Sequence, residues 1–183
     1  ERALVIQPED AETFNNLGIC LGTMGLHESA ETSFRHALEC NPGFVSAYYN
    51  LGRSLHELGH YNDAVISYQH ALSLQPSFAE AYNNLAGTQT ALGQNNEALQ
   101  SYREAIKIKH DYFNAHSGLL SASHYTDHNS VTHLEEAKCY GESVAKKVTY
   151  KFTSWQCDPQ PHKLRVGMVS GDLRRHSVAH FLE

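Results

Sequence analysis

The side chains whose type and spacing could do chemistry fall into two sets. Asn16, Asn50 and Asn84 recur at intervals of 34 (50 − 16 and 84 − 50), and further asparagines, Asn15 and Asn83, stand beside two of them. A carboxamide carries two donors and an acceptor, so a row of them can hold an extended peptide by its backbone, whatever the peptide's side chains. The same row can equally be a solvated polar face. The second set is histidine. His176 and His180 stand i, i+4, a spacing that can chelate zinc on one helix face. Two ligands are too few, no H-E-x-x-H is present and no third ligand is visible, so no metal is expected.

The elements that position the asparagines repeat with the same interval. Pro8, Pro42 and Pro76 are also 34 apart (42 − 8 and 76 − 42), which is the tetratricopeptide period. Ala3, Leu4 and Pro8 match Ala37, Leu38 and Pro42, so residues 1–10 read as the tail of a preceding repeat, and residue 1 is expected to fall inside a longer protein. Three full repeats follow, over 11–44, 45–78 and 79–112. In each, the first helix carries an aromatic (Phe14, Tyr48, Tyr82), a leucine (Leu17, Leu51, Leu85) and a small residue (Gly18, Gly52, Ala86) on one face. The second helix carries Ala30/Phe34/Ala37, Ala64/Tyr68/Ala71 and Ala98/Tyr102/Ala105. One such pair cannot bury its apolar face alone, but stacked pairs can. Gly25, Gly59 and Gly93 stand where a first helix needs a left-handed cap, and Asn41-Pro42 and Gln75-Pro76 end the second helices. In this superhelix the asparagines at position six of each repeat, Asn16, Asn50 and Asn84, lie away from the buried stripe and are expected on the concave surface. In the third repeat Gln89 replaces the leucine of Leu21 and Leu55, and the pattern loosens.

Composition narrows the partners. Residues 1–112 hold 13 Asp/Glu against 6 Lys/Arg, a net −7, and residues 113–183 a net +1, which together give the chain's −6. An acidic array repels phosphate, so protein partners are expected and nucleic acid is not. No apolar run is long enough to span a bilayer. The four cysteines, Cys20, Cys40, Cys139 and Cys157, show no C-x-x-C spacing, which suits reduced thiols in a cytoplasmic setting.

Beyond the array, residues 113–161 read as transitional helices and a linker. A helix begins near Phe113 with Leu119 in register. A turn over 124–130 leads to Thr132-His133-Leu134-Glu135, which has capping-box spacing, and the helix it opens carries Leu134, Ala137, Gly141, Val144 and Val148 on a stripe expected to dock. Phe152-Thr153-Ser154-Trp155 reads as an extended packed segment, and Asp158-Pro159-Gln160-Pro161 as a linker. Residues 163–169 then predict a strand, Ser170-Gly171-Asp172 a turn and 177–183 the start of a helix, the opening of an α/β lobe. Only Gly167 and Gly171 are present there, so no dinucleotide fingerprint exists.

Repeats, a transitional helix, FTSW, a proline linker and then LRVGMVSGDLRRHSVAHFLE make an order similar to the O-linked N-acetylglucosamine transferases, the bacterial and Spindly-type members above all. Arg165, Gly167, Val169, Ser170, Asp172, His176, Val178 and Phe181 match the motif that starts that family's catalytic region. The resemblance implies a GT-B enzyme of two Rossmann-like lobes. Such an enzyme transfers a sugar, with inversion, from a UDP-sugar, or from GDP-fucose, to Ser or Thr of an acceptor protein held in the array. It implies that His176 is the catalytic candidate, as base or positioning group or as a turn anchor, and that no metal is needed. By this resemblance residues 162–183 begin the N-terminal lobe, the remaining catalytic lobes lie beyond residue 183, and the chain by itself, lacking a cofactor or donor site, is inactive. The alternative is a tetratricopeptide adaptor that binds proteins without catalysis.

Overall fold

The computed structural model describes residues 10–126 and 130–147. Within them lie α1 (Ala11–Thr23), α2 (His27–Cys40), α3 (Val45–Glu57), α4 (Tyr61–Leu74), α5 (Ala79–Ala91), α6 (Asn95–Ile108), α7 (Phe113–Ser123) and α8 (Ser130–Lys147). Each helix packs on the next, and α1, α3, α5 and α7 also pack side by side, so the first helices of successive repeats form one wall of a superhelix.

Local chemistry sets the helix ends where the sequence placed them. Asp10 caps α1, its carboxylate accepting from the N–H groups of Glu12 at 3.2 Å and Thr13 at 3.1 Å. These bonds, that of the Thr13 hydroxyl first among them, hold the Asp10 carboxyl below the usual carboxylate range. Gly25, Gly59 and Gly93 adopt φ of 78°, 77° and 74°. Behind them Leu26, His60 and Gln94 each return an N–H to the carbonyl five residues back, on Leu21, Leu55 and Gln89, at 2.9–3.0 Å. The prolines stop α2 at Cys40 and α4 at Leu74.

The core divides in two. One cluster joins Phe34, Leu51, Leu55, Tyr68 and Leu85; the other joins Leu99, Tyr102, Ala105, Ala115 and Leu119. The deepest aromatics come from second helices, since Phe34 and Tyr68 are 2% and 1% exposed. Phe14 and Tyr48, expected between the layers, instead lie half-buried against His36 and His70, with ring centroids 5.4 and 5.1 Å apart. Glycine is required at Gly18 and Gly52, where a Cβ would sit 2.6 Å from Phe34 and 2.7 Å from Tyr68.

Two expectations change. The first part of the α8 stripe does not dock: Leu134 is 55% exposed, and Ala137 and Gly141 are also exposed, while Val144 is half-buried and Val148 lies outside the described residues. A different face meets the array. Glu136 accepts from Arg103 Nε at 2.9 Å and Nη2 at 2.7 Å, while the Tyr140 ring lies 5.6 Å from that of His116 and 6.3 Å from that of Phe113. An ion pair in which two guanidinium nitrogens meet the one oxygen Oε1, together with the aromatic contacts, joins this face to the array. Nor does Gln89 loosen its repeat. It is 7% exposed and accepts from the Ser101 hydroxyl at 2.8 Å, so the polar intrusion is satisfied inside the core. The expected FTSW segment, the strand and turn of 163–172, and the helix start carrying His176 lie outside the described residues.

Candidate functional site

The asparagine row is built on the wall formed by α1, α3 and α5. Counting i, i+3, i+7 from position six gives Asn16/Ile19/Thr23, Asn50/Arg53/Glu57 and Asn84/Gly87/Ala91, one helical stripe per repeat. Two cavities open along these stripes and share Arg53 and Glu57. The smaller, about 80 Å³, is bordered by Ile19, His27, Asn50 and Ser54. The larger, about 320 Å³, is bordered by His56, Asn83, Asn84, Gly87, Tyr102 and Asn114. Several of these residues were legible from spacing alone. Arg53 and Glu57 follow Asn50 on its own stripe, yet they were missed because only the recurring residue type was followed. His56 and Asn114 carry no repeating signal.

The asparagines do not all stand free, as an open polar face would require. Asn15 and Asn50 are 5% and 9% exposed, and the Asn50 Nδ2 donates to the Asn15 Oδ1 at 3.2 Å. One repeat on, the Asn84 Nδ2 donates to the Tyr49 hydroxyl at 3.1 Å, and the Asn83 Nδ2 donates to the Asn84 Oδ1 at 3.2 Å. Asn83 and Asn84 are half-buried, and Asn16 is exposed. The row is therefore a set of carboxamides tied from repeat to repeat, and the Tyr68 phenol also lies within reach of the Asn84 amide.

Other groups in the larger cavity are fixed as well. The Thr88 hydroxyl donates to the Asn84 carbonyl at 2.9 Å, and His56 Nδ1 lies 2.9 Å from the same hydroxyl oxygen. With the hydroxyl proton committed, Nδ1 is the donor in this contact. The Arg53 guanidinium lies 6.0 Å from the centre of the Tyr49 ring. Burial pushes the Tyr49, Tyr68 and Tyr102 phenols above the ordinary tyrosine value. They stay neutral at physiological pH. No cluster of three metal-ligating side chains occurs among the described residues. No described helix is long and apolar enough to cross a membrane.

Family models for the tetratricopeptide repeat match residues 11–44 and 33–66, and a TPR repeat model matches 52–89 and 88–119. No curated protein matches. Among solved structures, a crystal structure of MamA is similar at 24% identity and a TM-score of 0.73, over 81% of this chain and 86% of that one. MamA 41-end from Desulfovibrio magneticus RS-1 is similar at 22% identity and 0.69, over 76% and 78%. The first TPR of Spaghetti (RPAP3), bound to the HSP90 peptide SRMEEVD, is similar at 19% identity and 0.62, over 63% and 91%. At these identities the likeness is one of fold.

Proposed function

We propose, from the premise that residues 11–119 are tetratricopeptide repeats, that the array is a docking arm holding an extended protein segment along its α1/α3/α5 wall. One observation carries the reading. Carboxamides at Asn50 and Asn84, tied in place on successive repeats, border two cavities along the wall. Such a surface grips peptide backbone and tolerates many side chains. The peptide held by the RPAP3 repeats gives a precedent for this fold. The test is titration calorimetry with peptides selected against the chain by display. Asn50→Ala and Asn84→Ala should each weaken binding by about three- to tenfold, the worth of one or two hydrogen bonds. Unchanged affinity in both would refute the reading.

A narrower form is favoured by the motif LRVGMVSGDLRRHSVAHFLE downstream of the array. In it the arm presents Ser/Thr-bearing protein acceptors to an O-glycosyltransferase that uses a UDP-sugar or GDP-fucose donor without metal. Asn16, Asn50, Asn84, Asn15 and Asn83 form its acceptor groove. His176 serves the acceptor hydroxyl, for which an imidazole titrating near neutrality is suited. Its test is transfer and sugar-nucleotide hydrolysis by the full-length protein. His176→Ala should abolish transfer with the fold intact; full turnover in that variant would remove the assignment, and absence of both activities in the parent would leave the adaptor.

A further inference from the structure

The asparagine row is held unevenly, and the differences follow a rule. At each junction the position-six carboxamide donates to the position-five residue of the preceding repeat: Asn50 to Asn15, Asn84 to Tyr49. The rule stops at α7, where position six is Gly118, so that Asn83 receives no carboxamide from it and donates instead to Asn84. Asn84 thus has both its nitrogen and its oxygen engaged, whereas Asn50 has only its nitrogen engaged among the described residues.

We infer that Tyr49 is a positioning residue of the docking surface, orienting the Asn84 carboxamide toward the groove through its hydroxyl; the inference rests on the docking function above. A free carboxamide rotates about χ2 and can present either oxygen or nitrogen to a peptide. Bonds from Tyr49 on one side and Asn83 on the other remove that choice. The Asn84 amide, which the Tyr68 phenol also approaches, is then held in one orientation, and a peptide carbonyl drawn to it meets a donor already oriented. Tyr49 is itself anchored. Its ring packs on Phe78 and Tyr68, at centroid distances of 4.8 and 6.2 Å, and carries Arg53 above it. At the other junction Asn15 serves the same end with a smaller side chain, leaving the Asn50 oxygen open. The two sites therefore differ in chemistry: Asn50 offers a donor and an acceptor to one peptide unit, and Asn84 chiefly a donor.

Tyr49→Phe removes one oxygen and keeps the ring packing. The probe is a blocked, uncharged Ala/Ser/Thr peptide, followed by NMR titration, together with the order parameters of the Asn50 and Asn84 side-chain amides. Tyr49→Phe should weaken the peptide by about fivefold, the worth of one hydrogen bond. It should add nothing in an Asn84→Ala background, and it should lower the order of the Asn84 amide while sparing Asn50. An unchanged Asn84 order parameter, or equal losses with and without Asn84, would overturn the inference. If the parent chain binds neither this peptide nor any display-selected one, the docking function fails. The Asn84 order parameter still decides whether Tyr49 orients the carboxamide.

Discussion

The first two repeats and the third solve the same packing problem in different ways. In the first two, the aromatic of the second helix presses on a glycine of its own repeat, Phe34 on Gly18 and Tyr68 on Gly52. In the third, that glycine is Ala86, and the Tyr102 ring turns to the next helix instead, where a Cβ on Gly118 would lie 2.5 Å from its Cε1. The leucine of position eleven has become Gln89, paired with Ser101. Gln89, read from sequence as a loosening of the pattern, thus stands beside Ala86 and Gly118 at the junction where the second core cluster begins. A repeat period constrains the backbone; the filling is renegotiated at each junction.

The sharpest way to break that comparison is to remove each aromatic. Tyr68→Ala should cost about 3–5 kcal/mol and expose the amides of α1–α4, while Tyr102→Ala should loosen α5–α7. Hydrogen exchange resolved by segment reads both, because repeat arrays lose stability junction by junction. Equal loss everywhere in either variant would mean a single core.

Smaller effects test the glycines. Gly118→Ala should destabilise the chain by about 1–3 kcal/mol through overpacking against Tyr102. Gly87→Ala, whose Cβ would have nothing nearer than the Tyr102 hydroxyl at 3.9 Å, should stabilise it by about 0.5–1 kcal/mol. Denaturant midpoints compare the two; matching signs would contradict the packing described. Smaller again is the pair Gln89→Leu with Ser101→Ala; Gln89→Leu alone would restore the Leu/Ser pairing of the earlier repeats, Leu21 with Ser33 and Leu55 with Ser67. Replacing both partners of a buried hydrogen bond is expected to be near neutral, whereas Ser101→Ala alone should cost about 1 kcal/mol by stranding the Gln89 oxygen.

Alkali provides a further comparison. The folded phenols of Tyr49, Tyr68 and Tyr102 titrate above the free value of 10.0, so the unfolded chain loses those protons first. Stability is therefore complete below about pH 10 and should fall as pH rises above it. Tyr68, with the largest rise, should dominate, and Tyr68→Phe should blunt the fall more than Tyr102→Phe does in equilibrium unfolding at a series of pH values.

Much of this was legible in the sequence, because the signals were local. The period of the prolines, the glycines at the left-handed caps and the alanine–aromatic faces of α2, α4 and α6 each follow from near-neighbour sterics. The asparagines were legible as a row, since they repeat. Their ties to Asn15 and Tyr49 were not, because those bonds span 35 residues and depend on how far successive repeats rotate. For α8 the apolar stripe was a partial guide, since Leu134 is exposed and Val144 half-buried, whereas the tie of Glu136 to Arg103 spans 33 residues and carries no local signal. The family motif around His176 lies outside the described residues.

On the proposed function, the α1/α3/α5 wall receives an extended segment by its backbone. A nitrogen-15 NMR titration of the chain with the uncharged Ala/Ser/Thr peptide tests it most directly. Shifts confined to the side-chain amides of Asn50 and Asn84 and to the backbone around Arg53 and Gly87 are the expected result. Shifts gathered instead around exposed Ile66 and Leu74 of α4, with the asparagine amides unmoved, would contradict it.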